Sequence, residues 1–132
     1  MIADTSVWID FFAGRATWQV ELLAHQVEHE QPVGLTDVIY AELLQGFKNE
    51  TDMLGAERQL LNFDVLRLEG LDDFRNAATL YRAARREGLT IRRTTDCLIA
   101  AVCIREDRPL LHNDVDFTHL ALVSPLSVVK QP

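Results

Sequence analysis

Short apolar runs alternate with longer amphipathic stretches along the whole chain. The short runs have the length of strands, and they fall at residues 2–4, 32–35, 65–68, 109–111 and about 122–123. Apolar residues at helical spacing predict helices at about residues 7–12, 18–27, 38–47, 51–61, 72–87 and 94–104. Strands that alternate with helices favour a parallel sheet covered on both faces. The pattern therefore predicts an α/β fold with one short central parallel sheet.

Polar residues mark the expected ends of these helices. The predicted N-caps are Ser6, Thr36 or Asp37, Thr51, and Thr94 or Thr95. Gly88 is the predicted stop of the fifth helix, and a turn is expected at residues 112–116. The chain has no internal repeat, no linker-like segment and no glycine-rich phosphate loop. We therefore expect residues 1–132 to form a single domain.

Composition narrows the expected cellular setting. No apolar run is long enough to cross a membrane. An acid at Asp4, with no basic residue before Arg15, is not typical of a signal peptide. Cys97 and Cys103 lie on different faces of one predicted helix, so no disulfide between them is expected. Two buried thiols in a reducing cytoplasm are the simplest interpretation.

The net charge of −7 constrains any interaction with nucleic acid. A protein that binds phosphates through its overall charge is basic, because affinity comes mainly from neutralised phosphates. This chain therefore either has another kind of partner or places bound divalent cations between its acids and the phosphates.

Five acids fall near the carboxyl ends of predicted strands, where an open parallel sheet collects its ligands. They are Asp4 after the first strand, Glu42 inside the third helix, Asp96 at the start of the sixth helix, and Asp114 and Asp116 after the fourth strand. Helical spacing places Glu42 between Val38 and Ile39, which suggests a recessed carboxylate that needs pairing or coordination.

Each acid alone has an ordinary explanation as a cap or turn residue. Together, acids from separate segments repel each other at one sheet edge unless a cation lies between them. Carboxylate oxygens suit Mg²⁺ or Mn²⁺ better than zinc. Such an ion activates water for attack on phosphorus, and a second ion stabilises the leaving oxygen. The acids therefore indicate phosphodiester hydrolysis with one or two metal ions.

Four segments of the chain carry motifs in a fixed order. The segments are residues 4–12, which open with Asp4-Thr5-Ser6, and residues 38–46, 94–100 and 113–117. Together they resemble VapC-type toxins of the PIN-domain ribonuclease family, and the resemblance covers essentially the whole chain. It implies a single PIN-like domain with a short central parallel sheet flanked by helices on both faces.

The resemblance implies roles for individual residues. Asp4, Glu42, Asp96 and Asp114 match the family's acidic metal-binding quartet, and Asp116 matches a further acid that many members carry. Thr5 or Ser6 matches a small hydroxyl residue that supports a carboxylate without binding the metal. The resemblance also implies a cytoplasmic endoribonuclease dependent on Mg²⁺ or Mn²⁺, with RNA as its substrate. It further implies a homodimeric toxin paired with a VapB-type antitoxin.

Basic and aromatic residues near these motifs are candidates for RNA contact. Four arginines lie near the acidic segments: Arg85, Arg86, Arg92 and Arg93. Arg92 and Arg93 are the preferred candidates for flanking phosphates, since Arg85 and Arg86 equally suit a solvated helix face. Four aromatic residues suit either a contact surface or the core: Trp8, Phe11, Phe12 and Trp18.

Two other enzymatic interpretations compete with the nuclease. His25, Glu28 and His29 match HxxEH, a zinc-peptidase pattern, but Pro32 ends that helix and a third ligand is not evident. Phosphoryl transfer to Asp4 needs a partner lysine or a second nearby acid, and the lysines are poorly placed in the sequence. The non-enzymatic alternative is a catalytically silent metal- and protein-binding module of the same fold.

Overall fold

Four short parallel strands form the centre of the structure, and seven helices surround them. The computed structural model describes residues 1–132. The elements in chain order are β1 (Ile2–Ala3), α1 (Thr5–Phe12), α2 (Trp18–Glu28), β2 (Gly34–Thr36), α3 (Asp37–Gln45), α4 (Glu50–Leu60), β3 (Asp64–Leu66), α5 (Leu71–Arg86), α6 (Thr94–Arg105), β4 (Leu110–Leu111) and α7 (Val115–Leu122). The predicted α/β class with a central parallel sheet is confirmed.

The sheet has the strand order β3-β2-β1-β4, and every pairing is parallel. Ile2 pairs with Gly34 on one side and with Leu110 on the other. The backbone N–H of Asp4 donates to the Leu111 carbonyl at 2.9 Å, which continues the ladder past the end of β1. Because the strands run in one direction, Asp4, α3 and the segment after β4 meet at one edge of the sheet.

Strands this short depend on burial rather than on their own hydrogen bonds. Both residues of β1 and both of β4 have no solvent exposure. They belong to a core cluster of 24 buried residues that extends along the chain from Ile2 to Leu126. Gly34 is required in β2, because a Cβ there would lie 2.9 Å from the Asp64 carbonyl oxygen. None of the seven helices combines the length and the hydrophobicity that a membrane span requires.

The two cysteines contribute to this core as free thiols. Cys97 and Cys103 both lie in α6, are almost completely buried, and form no disulfide. The prediction that they do not bridge each other is confirmed.

Three helices begin with a different cap from the one predicted. The N-cap of α1 is Asp4, not Ser6, because the Asp4 carboxylate accepts the Ser6 backbone N–H at 3.1 Å. Asn49, not Thr51, caps α4, and its side chain accepts the Asp52 N–H. Helix α6 has Arg93 at its N-cap position and no side-chain cap bond. These shifts place Asp4 and Asp96 within a helical N-terminus.

The predicted strand near residues 122–123 is wrong, because that segment ends a helix. Helix α7 begins after Asp114, whose carboxylate accepts the Asp116 N–H. Phe117 and Leu120 face the core at a helical spacing of three, whereas Leu122 is 74% exposed. The apolar run of residues 120–123 suggested a strand. The segment is helical because Phe117 and Leu120 are buried on one helical face.

Candidate metal centre

Three aspartates meet at the sheet edge beside β4. Oxygen atoms of Asp96, Asp114 and Asp116 all lie within 4.8 Å of one another. Asp96 stands in the first turn of α6, Asp114 caps α7, and Asp116 stands in the first turn of α7. Asp96 and Asp116 are each 2% exposed. Two helical N-termini therefore direct three carboxylates to one point, and their dipoles partly offset the negative charge.

Asp4 reaches the same edge from β1. It is 4% exposed and accepts the Ser6 hydroxyl at 2.7 Å as well as the Ser6 N–H. The Ser6 hydroxyl oxygen in turn accepts the backbone N–H of Asn113 at 3.0 Å. Ser6 thus joins Asp4 to the segment that leads into Asp114, and it fixes the relative positions of β1 and the loop after β4.

Glu42 approaches from α3 and is held by two hydroxyl groups. The Thr5 hydroxyl donates to one carboxylate oxygen at 2.7 Å, and the Thr95 hydroxyl donates to the other at 3.3 Å. Glu42 is half-buried, in line with the recessed position that helical spacing suggested. Asp4 and Glu42 do not join the group of oxygens within 4.8 Å, which consists of Asp96, Asp114 and Asp116.

The electrostatics of this edge favour protonation of Asp96 and Asp4. Burial raises the pKa of Asp96 to about 7, against the opposing charge of Arg93 and with support from the Asp4 carboxylate. Burial also raises the pKa of Asp4 to about 6, although both hydrogen bonds from Ser6 oppose the shift. Two such perturbed acids in one cluster are typical of functional sites.

One carboxylate oxygen of the cluster has no hydrogen-bond donor. The Oδ2 atom of Asp96 is buried and has no hydrogen-bond partner, since the Arg93 Nε atom lies 3.7 Å away. A buried carboxylate oxygen without a donor costs about 1–3 kcal/mol or more. A cation that touched this oxygen would remove that cost. The possible metal ligands of this cluster are all carboxylates, which fits Mg²⁺ or Mn²⁺ and does not fit zinc.

Arg92 and Arg93 lie directly on the cluster. Arg92 donates to Asp114 at 2.8 Å and to Asp116 at 3.0 Å, and its backbone N–H also donates to Asp116. Arg93 donates to Asp114 at 3.1 Å. Both side chains remain more than half exposed at 63% and 58%. They therefore orient the acids and still present guanidinium groups at the rim of the site.

None of the remaining sequence candidates forms a hydrogen bond or an ion pair with the acid cluster. Arg85 stacks over the Tyr81 ring at 5.7 Å and makes no ion pair. Trp8 is fully buried and packs against other aromatic rings, as a core residue does. Trp18 is only partly buried. His25 and His29 stack on each other in an exposed position, and no third metal-binding side chain joins them. A zinc-peptidase site is therefore not formed.

Sequence reasoning did not identify two of the groups that organise the site. These are the Thr95 hydroxyl, which contacts Glu42, and the Asn113 N–H, which contacts Ser6. Thr95 directly precedes Asp96 and was considered only as a cap. Its side chain instead links α6 to α3, a contact that adjacency to a candidate acid could have suggested.

Comparison with known proteins identifies the family of this chain. The model of the PIN domain matches residues 1–122. The chain is 36% identical over 129 residues to the VapC ribonuclease Mb1587 of Mycobacterium bovis and to ribonuclease VapC11 of Mycobacterium tuberculosis, with 96% of this chain and 95% of each relative covered. The chain therefore belongs to the PIN-domain family, in its VapC branch.

Solved structures with the same fold are more distant in sequence. The VapBC2 complex of Rickettsia felis, bound to a promoter DNA fragment, matches with a TM-score of 0.77 at 16% identity, covering 97% of this chain and 96% of the matched chain. VapBC-5 of Mycobacterium tuberculosis matches with a TM-score of 0.69 at 23% identity, covering 98% and 96%. At these identities the likeness concerns the fold alone.

Proposed function

We propose that this protein is an endoribonuclease that depends on Mg²⁺ or Mn²⁺ and acts as the toxin of a toxin–antitoxin pair. The observation that carries the proposal is the cluster of Asp96, Asp114 and Asp116, in which a buried Asp96 oxygen has no donor. The relatives at 36% identity are named as ribonucleases, which supports RNA as the substrate class.

Five acids are the candidates for binding the metal ions. Asp4, Glu42, Asp96 and Asp114 are the proposed ligands for one or two ions, and Asp116 binds directly or through water. When bound, the ion supplies Lewis-acid activation of water and stabilisation of charge on the phosphate. Ser6 and Thr5 keep Asp4 and Glu42 in place through hydroxyl donors at 2.7 Å. Attack by water leaves a 5′-phosphate and a 3′-hydroxyl.

The exposed guanidinium groups at the rim are the proposed contacts for flanking phosphates. Arg92 and Arg93 each present unused N–H donors to solvent while one edge of each group contacts Asp114. A net charge of −7 makes such local cations important, because the rest of the surface repels RNA. Arginine also fits the bidentate geometry of phosphate.

We further propose that the single domain of residues 1–132 works in the cytoplasm as a homodimer and binds a VapB-type antitoxin. An apolar groove of about 290 Å³ between α1 and α3 supports the antitoxin as partner. Ile9, Phe12 and Phe47 line this groove, and Glu42 lies at its margin. A peptide seated there would contact Glu42. Size measurement of the purified protein tests the dimer.

The direct test is cleavage of total cellular RNA by antitoxin-free protein with Mg²⁺ or Mn²⁺. We expect discrete cuts that EDTA abolishes and that Asp96→Asn reduces by more than about 100-fold. Asp72→Asn is the matched control, since Asp72 also stands in a first helical turn but is exposed and outside the cluster. End-mapping should give 5′-phosphates, whereas 2′,3′-cyclic phosphates would contradict water as the nucleophile.

The competing function is a catalytically silent metal- and protein-binding module. The unpaired Asp96 oxygen suits metal binding in either case, so calorimetry with Mn²⁺ does not separate the two functions. Cleavage does separate them. Folded wild-type protein that binds Mn²⁺ and cuts no RNA would favour the silent module.

A further inference from the structure

A polar groove lies beside the acid cluster and shares Asp114 with it. It has a volume of about 450 Å³, within the range of about 300–1,000 Å³ common for small-ligand sites. We call it the Trp18 groove, and we define it by Trp18, His112, Asp114, Val115 and Lys130. Because Asp114 belongs both to this groove and to the acid cluster, a ligand in the groove adjoins the proposed reaction centre.

Hydrogen bonds between segments that are distant in the sequence hold the lining of this groove in place. The Gln19 side-chain amide donates to the His112 carbonyl at 3.3 Å, which ties the start of α2 to the end of β4. The segment before Lys130 runs beside β4, where the Val129 N–H donates to the Leu110 carbonyl at 2.9 Å. Trp18 and Lys130 are therefore held next to Asp114 by backbone pairing and by packing.

The chemistry of the lining suits a nucleotide. Trp18 is only partly buried, whereas Trp8 is fully buried. Only the Trp18 ring is therefore accessible to a base. An aromatic ring stacks any base, provided that the base is unpaired. Lys130 is exposed and makes no ion pair, unlike Arg92 and Arg93, which contact acids. Its ammonium group is thus free for a phosphate.

A second groove lies beside Glu42 and Arg93. It has a volume of about 520 Å³ and is lined by Glu42, Gln45, Arg93 and Thr94 among others. Arg93 is its cation, and no aromatic residue lines it. The two grooves adjoin at the acid cluster, because Arg93 of the second groove donates to Asp114 of the Trp18 groove at 3.1 Å. A single strand that crosses the acids would occupy both.

We propose that the Trp18 groove binds an unpaired nucleotide next to the scissile phosphate of single-stranded RNA, with its base on Trp18 and a phosphate on Lys130. This inference rests on the ribonuclease function proposed above and adds a nucleotide subsite formed by Trp18 and Lys130 beside Asp114. Selection for single strands follows, because a paired base offers no free face for the indole.

The test measures RNA binding apart from cleavage, in an Asp96→Asn background with Mg²⁺. The probe is a labelled single-stranded RNA oligonucleotide, compared with a duplex of the same sequence. We expect Trp18→Ala to weaken single-strand binding about tenfold and Trp18→Phe to preserve it, since phenylalanine still stacks. Lys130→Gln should lower the slope of log affinity against log salt by about 0.7.

Lys48→Gln is the matched control, because Lys48 is the other lysine of the chain, is also exposed and lies outside both grooves. A second readout is tryptophan emission. Single-stranded RNA should quench it in the otherwise unchanged background and not after Trp18→Phe, which leaves only the buried Trp8.

Equal binding by the Lys130→Gln and Lys48→Gln proteins, or RNA binding without quenching, would overturn the Trp18 groove and leave the ribonuclease in place. Absence of metal-dependent cleavage by the wild-type protein would overturn both proposals. The cleavage assay and the binding assay therefore distinguish the two failures.

Discussion

Two aspartates of this protein occupy almost the same local position and differ in nearly every electrostatic respect. Asp73 and Asp96 each stand third in a helix, α5 and α6, behind an N-cap without a side-chain cap bond. Each is 2% exposed, and the two helices pack against each other. Local sequence and burial therefore do not separate them, and the difference comes from what lies opposite each carboxylate.

Asp73 is fully paired. Arg105 donates to both of its oxygens at 3.0 and 3.2 Å, and the Glu69 N–H donates at 2.8 Å. Burial alone would raise the pKa of Asp73, but the Glu69 N–H and the Arg105 guanidinium hold it below the usual value. Asp96 has a buried oxygen without a donor and a pKa of about 7. The first arrangement stabilises the fold, and the second leaves a carboxylate oxygen unused by the protein.

Among the substitutions, removing the charge of Asp73 should cause the largest loss of stability. Asp73→Asn leaves Arg105 without its buried partner, and we expect the free energy of unfolding to fall by about 3 kcal/mol. Denaturant unfolding measures it. The same protein, assayed at a temperature where it is folded, should cleave RNA at the wild-type rate. A lost cleavage rate in folded Asp73→Asn protein would contradict the division between the two aspartates.

The acid cluster should make stability depend on pH in the opposite sense from a salt-bridged carboxylate. Asp4 and Asp96 have pKa values of about 6 and 7, above the ordinary 3.8. The folded state therefore binds more protons, so this contribution is complete below pH 4 and is lost as the pH rises through 6 and 7. In EDTA, we expect the free energy of unfolding to decrease by about 4 kcal/mol between pH 5 and pH 8, because Asp4 accounts for about one pH unit and Asp96 for about two, at about 1.4 kcal/mol per unit.

Thermal or urea unfolding across this pH range checks the effect. Saturating Mn²⁺ should flatten the profile, because an ion bound to the carboxylates competes with their protons. A profile that rises from pH 5 to pH 8 in EDTA would mean that the cluster is compensated within the protein, as Asp73 is.

The sequence predicted the acids at this edge of the sheet but not the long-range contacts that surround them. Asp4 and Asp96 were found because strand ends and helix starts are visible in the apolar pattern. The same pattern offers no reason to separate Asp96 from Asp73, since the arginine that pairs with Asp73 lies 32 residues away. The groove at Trp18 was also hidden, because the Gln19–His112 contact spans 93 residues. Long-range contacts of this kind leave no local period.

Neutralising Asp96 should have a smaller effect on stability than neutralising Asp73, and of the opposite sign. At pH 8 in EDTA, Asp96→Asn removes a buried charge that has no donor on one oxygen, and we expect a gain of about 1.5 kcal/mol. Chemical unfolding measures the gain. The variant should also lose most of the pH dependence. Destabilisation by Asp96→Asn under these conditions would assign Asp96 a structural role instead.

The smallest expected effect concerns the hydroxyl group that holds Asp4. Ser6→Ala removes a 2.7 Å donor from Asp4 and the acceptor of the Asn113 N–H, so Asp4 and the loop before Asp114 lose their direct link. We expect about tenfold slower RNA cleavage and a stability loss of about 1 kcal/mol.

Ser124→Ala is the matched control for this change. The Ser124 hydroxyl donates to the Leu120 carbonyl at 2.6 Å in the last turn of α7, so its removal costs a comparable hydrogen bond away from the acids. Both variants should lose similar stability, and only Ser6→Ala should slow cleavage. Equal cleavage by the two proteins would show that the position of Asp4 does not depend on Ser6. The cluster would then be aligned by its helical N-termini alone.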